Sequence, residues 1–186
     1  MTVLREDLLA GRAIVLAGGP GDHIRDALEA LGARVEPMPS GIDLQDEERV
    51  GEWAAAHAPL HAVVYDASGG FAQGGLAGLS AALDGGWGAI REVVSGALLP
   101  AGAGGRVILV GPPPDAGALA DSARAALENL VRTLSVEWAR HEITAAMIAP
   151  GPATTQRDLA ELVCFLVSPA GAYLSGCRLD LGAVGQ

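Results

Sequence analysis

Short apolar runs alternate with helix-like stretches along almost the whole chain. The runs 13–17 (AIVLA), 61–65 (HAVVY) and 106–110 (RVILV) are apolar at nearly every position, which is typical of strands buried on both faces. The stretch 119–140 instead spaces its apolar residues at i, i+3 and i+4 over about five turns, which predicts a helix. Buried strands that alternate with helices predict an α/β fold, a Rossmann-like doubly wound parallel sheet with helices on both faces. The other predicted elements are strands at 34–37, 144–149 and 178–181, for a sheet of about six strands, and helices at 24–31, 46–57, 79–83, 87–99 and 157–167.

Length, charge and cysteine content restrict the function classes. At 186 residues without a linker or an internal repeat, the chain is expected to form a single domain over 1–186. The net charge of −10 argues against a nucleic-acid binder and against docking on an anionic membrane. No apolar run approaches the ~18 residues of a membrane span. Cys164 and Cys177 have no metal-type spacing, so we expect no metal site and a reducing, cytoplasmic environment.

Four segments of the C-terminal half follow one another in a characteristic order. They are 105–110 (GRVILV), the helix 123–143 (ARAALENLVRTLSVEWARHEI), the turn Ala149-Pro150-Gly151 and the segment 158–182 (DLAELVCFLVSPAGAYLSGCRLDLG). In these segments the chain resembles the short-chain dehydrogenase/reductase family. The resemblance runs from about Gly11 to Gly182 and is strongest in the C-terminal half. The resemblance implies a sheet that binds a nicotinamide dinucleotide across the carboxyl ends of its strands.

The glycine-rich turn after the first strand departs from the family pattern T-G-x3-G-x-G. Ala17 replaces the threonine, and Asp22 stands where the family has its second glycine, whereas Gly18, Gly19 and Gly21 remain. Glycines there let the backbone approach a pyrophosphate, which the charge of Asp22 would oppose. We therefore interpret the segment as a plain strand-to-helix turn with Asp22 capping its own helix. Gly18, Gly19 and Gly21 are only vestigial candidates for cofactor binding.

The third strand ends in Tyr65-Asp66-Ala67-Ser68, where the family has Asn-Asn-Ala-Gly against the cofactor. Asp66 is the fourth vestigial candidate for cofactor binding, and Tyr65 or Asp66 could also titrate. A turn formed by Asp66 at the strand end is the simpler interpretation.

The family's catalytic residues are replaced. The family places a serine where this chain runs Val110-Gly111-Pro112-Pro113, and its Tyr-x3-Lys pair aligns with Ala120 and Arg124. Alanine cannot transfer a proton, which costs roughly 10²–10⁴-fold in rate. Arg124 keeps the positive charge of the lysine, but we expect it to be solvated and paired with Glu128. No catalytic residue is assigned.

Two segments of the family are shortened. Between the second strand and His61 the chain lacks a helix and part of a strand, which predicts a trimmed sheet edge and a reduced adenine pocket. After Pro150-Gly151 the turn Thr154-Thr155 remains, but the substrate lid is missing. Without a lid the site is not closed to water.

Together these losses predict a catalytically degenerate, non-catalytic structural or regulatory subunit. We expect it to form a homodimer, or a hetero-oligomer with an active full-length relative, through helix 119–140 and the C-terminal helix–strand 158–181. No cofactor is expected. One alternative is a divergent NAD(P)-dependent oxidoreductase of a carbonyl or alcohol, with Tyr65 or Asp66 as an unusual acid. Another is a small-molecule sensor, and the sequence names no substrate or pathway for any of these.

Overall fold

The computed structural model describes residues 4–19 and 21–182, and its six strands form one all-parallel sheet in the order β2-β1-β3-β4-β5-β6. Helices cover both faces, so the predicted fold class, an open Rossmann-like α/β fold, is confirmed. None of the helices in these two ranges has the length and apolar character needed to span a bilayer. The strands are β1 Ala13–Gly18, β2 Arg34–Pro37, β3 Ala62–Asp66, β4 Gly105–Val110, β5 Ile143–Pro150 and β6 Cys177–Leu181. The helices are α1 Asp22–Ala30, α2 Glu47–Ala56, α3 Ser68–Phe71, α4 Gly75–Val93, α5 Leu99–Ala101, α6 Ala120–Glu137 and α7 Gln156–Val167.

Each face of the sheet has its own apolar layer. Helices α2, α4 and α6 pack on one face, and α1 and α7 pack on the other. Successive residues of a strand point to opposite faces, so in β3 Val63 belongs to the first layer and Val64 to the second. This double burial explains why the strand sequences are apolar at nearly every position.

Helix α4 is longer than the two separate helices predicted at 79–83 and 87–99. Gly85 and Gly86 do not interrupt it, although glycine inside a helix costs up to about 1 kcal/mol. A Cβ at Gly86 would lie 2.7 Å from Cε1 of Tyr65, and one at Gly88 would lie 2.1 Å from the carbonyl oxygen of Leu44. The glycines therefore let the helix pack closely on its neighbours. The helix continues through a π turn at Val94–Leu98 into α5.

Strand β2 forms the sheet edge, as the shortened connection predicts. The order is that of a dinucleotide-binding sheet without its third strand. The N–H groups of Arg34 and Met38 donate inward to carbonyls of the β1 side, both at 2.8 Å. Val35 and Pro37 therefore present their backbone outward. Because Pro37 has no N–H, this edge offers few donors to another strand.

Candidate functional site

A cleft of about 380 Å³ lies at the carboxyl ends of β1, β3, β4 and β5. Asp22, Asp66 and Asp115 line it, and among the lining residues that the structure describes only His23 is basic. Three carboxylates around one space disfavour the binding of an anion such as a pyrophosphate. The rest of the lining is polar or small, with contributions from Ser68, Gly111, Pro113, Pro150, Gly151, Thr154, Thr155 and Gln156.

Other parts of the protein pack closely against two glycines of the first turn. A Cβ at Gly18 would lie 2.3 Å from the carbonyl oxygen of Asp66, and one at Gly19 would lie 2.4 Å from Oδ2 of Asp66. From the other side, a Cβ at Gly69 in α3 would lie 2.8 Å from the Cα of Gly19. The end of β3 and helix α3 thus pack directly on this turn. The close approach of Asp66 and α3 explains why positions 18 and 19 are glycine, without any ligand.

Gly21 and Asp22 begin helix α1. Gly21 has φ +56° and occupies the cap position, with no side-chain cap. The expected self-capping by Asp22 is wrong, because Asp22 is already the first helical residue and pairs with Arg25 at 2.9 Å. Gly21 is therefore required by its left-handed backbone rather than by a neighbouring group.

Tyr65 and Asp66 point to opposite sides of the sheet. Asp66 borders the cleft, and its Oδ1 accepts a hydrogen bond from the N–H of Ser68 at 2.9 Å, which forms the expected turn. Tyr65 is 1% exposed beneath α4, and its hydroxyl lies 3.4 Å from the carbonyl oxygen of Ala81. Burial first, and then the charges of Asp66 and Asp84, raise the pKa of Tyr65 above its usual range. The two proposed acids therefore do not share a site.

Arg124 is the largest departure from the sequence analysis at this edge. It is 7% exposed, and its Nη1 donates to the carbonyl oxygens of Pro112 at 2.9 Å and Pro150 at 2.7 Å. The expected solvated pair with Glu128 is wrong, because Glu128 instead binds Arg132 at 2.6 Å and Arg178 at 3.2 Å. Burial, and then the charge of Arg178, lower the pKa of Arg124, yet a guanidinium remains charged in proteins.

The position of Arg124 in α6 could have predicted that its side chain is buried. It lies four residues after Ala120 and three before Leu127, both at most 1% exposed, and therefore on the inward stripe of the helix. Ala120, at the position of the family's proton donor, is itself enclosed by protein. The side chain of Arg124 joins the ends of β4 and β5, which border the substrate side of the fold.

Only residues 151–155 separate β5 from α7, so no lid follows the strand. Oγ1 of Thr154 donates to the carbonyl oxygen of Leu181 at 2.7 Å and accepts from the N–H of Gly151 at 2.8 Å. Thr155 and Asp158 form a reciprocal capping box at the start of α7. The hydrogen bonds from Thr155 hold the pKa of Asp158 below its ordinary value. This short turn is therefore tied to both β6 and α7.

The sequence contains no lysine: the 12 residues in the combined count of Lys and Arg are all arginines. No ammonium side chain can therefore replace the family's lysine from elsewhere in the chain. Among the residues that the structure describes, no three His, Cys, Asp or Glu side chains cluster in a way that could hold a metal ion.

Comparisons with known proteins support the fold. No protein-family model and no curated protein matches the sequence. Among solved structures, the chain is similar to a citronellol catabolism dehydrogenase (AtuB) of Pseudomonas aeruginosa PAO1, with a TM-score of 0.78 and 22% identity over 98% of each chain. It is also similar to a hydroxysteroid dehydrogenase of Escherichia coli (TM-score 0.77, 19% identity, 96% of this chain and 99% of that one). A third similar structure is BdcA (YjgI) of E. coli (TM-score 0.72, 19% identity, 94% of this chain and 100% of that one). The chain therefore has the fold of short-chain dehydrogenases.

Proposed function

We propose that this chain is a catalytically degenerate, short-chain dehydrogenase-like protein that serves as a non-catalytic structural or regulatory subunit. The observation that carries the proposal is the start of α6. The proton-donor position is the buried Ala120, and the cation four residues later, Arg124, is bound to two backbone carbonyls. At the positions of the side chains that would transfer a proton and bind a ribose, Ala120 is packed in the interior and Arg124 binds backbone carbonyls.

The lining of the cleft supports the same proposal. A dinucleotide carries negative charge, and the described lining of the cleft includes Asp22, Asp66 and Asp115 but no arginine. Asp66 also accepts a hydrogen bond from the N–H of Ser68. Reduction of a carbonyl needs a proton donor that touches the substrate oxygen, and none of the described lining residues is a tyrosine or a lysine.

The proposed assembly surface consists of α6 and the segment 158–181. The two elements adjoin, because Nη1 of Arg178 binds Glu128 at 3.2 Å and a Cβ at Gly176 would lie 2.6 Å from Oγ of Ser135. Val136 on α6 is 77% exposed, and Tyr173 in the C-terminal segment is 91% exposed. Large exposed side chains on two adjoining elements favour a protein partner there.

The oligomeric state tests this surface. We expect the pure chain to be a dimer or larger oligomer by light scattering, and Val136→Glu or Tyr173→Glu to shift it toward monomer with an unchanged circular dichroism spectrum. Leu76→Glu is the matched control, because Leu76 is 76% exposed at the start of α4, outside this surface. A strictly monomeric chain that also recovers no dehydrogenase from its native host would contradict the proposal.

Because the chain has no lysine, chemical cross-linking can distinguish homo-oligomers from hetero-oligomers. A carbodiimide joins a carboxylate to an amine, so it cannot join two copies of this chain through their side chains. Cross-linking to a co-purified full-length dehydrogenase would therefore report a hetero-oligomer. Oligomers by light scattering that give no side-chain cross-links would indicate assembly with itself.

A divergent NAD(P)-dependent oxidoreductase is the second candidate, because the cleft volume of about 380 Å³ lies within the range of small-molecule sites and Asp66 borders it. Bound NADH or NADPH at 100 times its Kd would stabilise the chain by about 2.7 kcal/mol. A rise in Tm with either nucleotide, lost in Ser68→Asp, which adds a carboxylate to the lining of the cleft, would favour this candidate. An unchanged Tm at millimolar concentrations would exclude it.

A further inference from the structure

A groove of about 170 Å³ lies at the amino edge of the sheet, opposite the cleft, and basic side chains line it. Arg12 precedes β1, His61 precedes β3, and Arg106 is the second residue of β4. These strands are parallel neighbours, and their amino ends therefore bring the three side chains to one place. The backbone is fixed there, because His61 N–H donates to the Ala13 carbonyl at 2.8 Å and Arg106 N–H donates to the His61 carbonyl at 3.1 Å.

The cations of this groove lack carboxylate partners. None of the ion pairs formed within residues 4–19 and 21–182 includes Arg12 or Arg106. The Nε of Arg106 is buried without a hydrogen-bond partner among those residues, and its Nη1 donates only to the adjacent Gly105 carbonyl. Arg12 is exposed, whereas the buried Nε of Arg106 is unusual, because buried polar groups are ordinarily paired.

His61 adds a third donor. Its Nδ1 accepts a hydrogen bond from the N–H of Ala13 at 2.9 Å, which leaves the proton of the neutral ring on Nε2. Burial first, and then the charge of Arg12, lower the pKa of His61, and the same two causes lower the pKa of Arg106. Arg12 and Arg106 therefore repel each other, and the charge of Arg12 favours the neutral form of His61.

We infer that the groove binds a tetrahedral oxyanion, a phosphate or sulfate group, between Arg12, His61 and Arg106. Two guanidinium groups and an imidazole N–H supply several donors and up to two neutralising charges, which suits a dianion with three or four oxygens better than a single carboxylate. The inference is independent of the proposed function, since this edge is remote from the strand ends of the cleft.

The dimensions also indicate a small ligand. A volume of about 170 Å³ is below that of ordinary organic-ligand pockets. A second cavity of about 410 Å³ shares Arg106 and Gly104 with the groove and adds the hydroxyl side chains of Thr144 and Ser175. A phosphomonoester could place its organic part there, so free phosphate and a phosphomonoester are two sources of the same group.

Two sources of negative charge lie near the groove and limit where an anion can bind. Glu142 lines the second cavity, so the charged group belongs on the side of Arg12 and His61. The carboxyl end of α7 faces the groove at Val167, and its partial negative charge stabilises a nearby arginine without any ligand. The experiment therefore has to measure a response that depends on the anion and on these arginines together.

The test is thermal unfolding of the full chain in phosphate, sulfate, acetate and chloride at equal ionic strength. At ten times its Kd, phosphate should increase the folding equilibrium constant about 11-fold, which corresponds to a rise in Tm of about 3–6 °C. We expect Arg106→Gln and Arg12→Gln each to weaken phosphate binding at least about tenfold by isothermal titration. Arg49→Gln, at an exposed position of α2 outside the proposed assembly surface, is the matched control and should retain the whole effect.

The control is necessary because phosphate and sulfate also stabilise proteins through exclusion from the surface. That general effect would raise the Tm of all three variants equally, which would overturn the inference. An equal response to acetate would overturn the assignment of a tetrahedral anion. If ribose 5-phosphate binds more tightly than inorganic phosphate and this gain is lost in Thr144→Val, the ligand extends into the second cavity. Equal affinity of the two compounds would assign the groove to the free anion.

Discussion

Two regions at the carboxyl edge of the sheet, the β1–α1 turn and the ends of β4 and β5, differ in how closely they resemble the short-chain dehydrogenase pattern. In the β1–α1 turn glycines of the pattern are present, but Asp66 and α3 fill the space beside Gly18 and Gly19. At the ends of β4 and β5 the residue types differ from the pattern, and Arg124 joins the two strand ends. A shared residue type is therefore weak evidence for a shared cofactor site, because the same glycine can serve internal packing.

The two regions also differ in what maintains them. The first depends on close contacts without side-chain hydrogen bonds to Gly18 or Gly19, whereas the second depends on hydrogen bonds from Arg124, Thr154 and Thr155 to backbone or carboxylate oxygens. Substitutions should accordingly act by steric overlap in the first region and by loss of hydrogen bonds in the second.

The largest effect is expected at Arg124. Arg124→Met keeps the aliphatic bulk of the side chain but leaves the carbonyl oxygens of Pro112 and Pro150 without their partner, so it should destabilise the fold by about 2–4 kcal/mol. Urea unfolding measures this difference. Arg124→Lys is the matched variant, and one ammonium should recover only part of the loss. If Arg124→Met is as stable as the wild type, Arg124 does not hold the two strand ends together.

A smaller effect is expected at Gly19. Gly19→Ala places a methyl group against the carboxylate of Asp66 and should cost about 1–3 kcal/mol. Asp66→Ala in the same chain should remove most of that cost, which a double-mutant cycle measures. Gly41→Ala is the control, since no atom lies within 4 Å of its added Cβ. A fully stable Gly19→Ala variant that has lost nucleotide binding would instead assign Gly19 to a cofactor.

The strands were the most predictable part of the fold. The run AIVLA at 13–17 lies within the observed β1, because a wholly apolar run ended by glycine has few other uses in an α/β fold. Arg34–Pro37, which contains two charged residues and is ended by its proline, is reproduced as β2. The continuity of α4 could not be predicted from the sequence of the helix alone. Position 86 is glycine because a Cβ there would overlap the ring of Tyr65, which lies in another segment of the chain.

The candidate site was predicted less completely than the fold. The alignment of Ala120 and Arg124 with the family's Tyr-x3-Lys motif predicts that this pair is absent. The partners of Arg124 could not be predicted, because backbone carbonyls carry no side-chain signal and Pro112 and Pro150 lie 12 and 26 residues away. Tertiary hydrogen bonds to the main chain are therefore the part of this region that only a structure reveals.

The β5–α7 turn should respond more weakly than Arg124. Thr154→Val keeps the shape of the side chain but removes its two hydrogen bonds, to Leu181 and Gly151, and should cost about 1–2 kcal/mol in urea unfolding. Thr133→Val is the matched control, because the hydroxyl of Thr133 binds only the backbone of its own exposed helix. Equal costs for the two variants would mean that the hydroxyl of Thr154 does not help to tie the turn to β6.

The smallest effect is expected at Asp158, and it should depend on pH. The hydrogen bonds from Thr155 lower the folded-state pKa of Asp158, so the unfolded chain binds a proton more readily at acid pH. The contribution of this carboxylate is therefore present above the unfolded pKa of about 3.9 and is lost as pH falls through the lower folded value. Tm measured against pH should show Asp158→Asn less stable than the wild type near neutrality, with the two converging as pH falls through the folded pKa. In a Thr155→Val background the pH dependence should become smaller, because the hydroxyl that is the largest cause of the lowered pKa is absent while the backbone N–H of residue 155 still donates to Asp158. A difference that stays constant from neutral to acid pH would indicate that Asp158 stabilises α7 through its shape and position rather than through its charge.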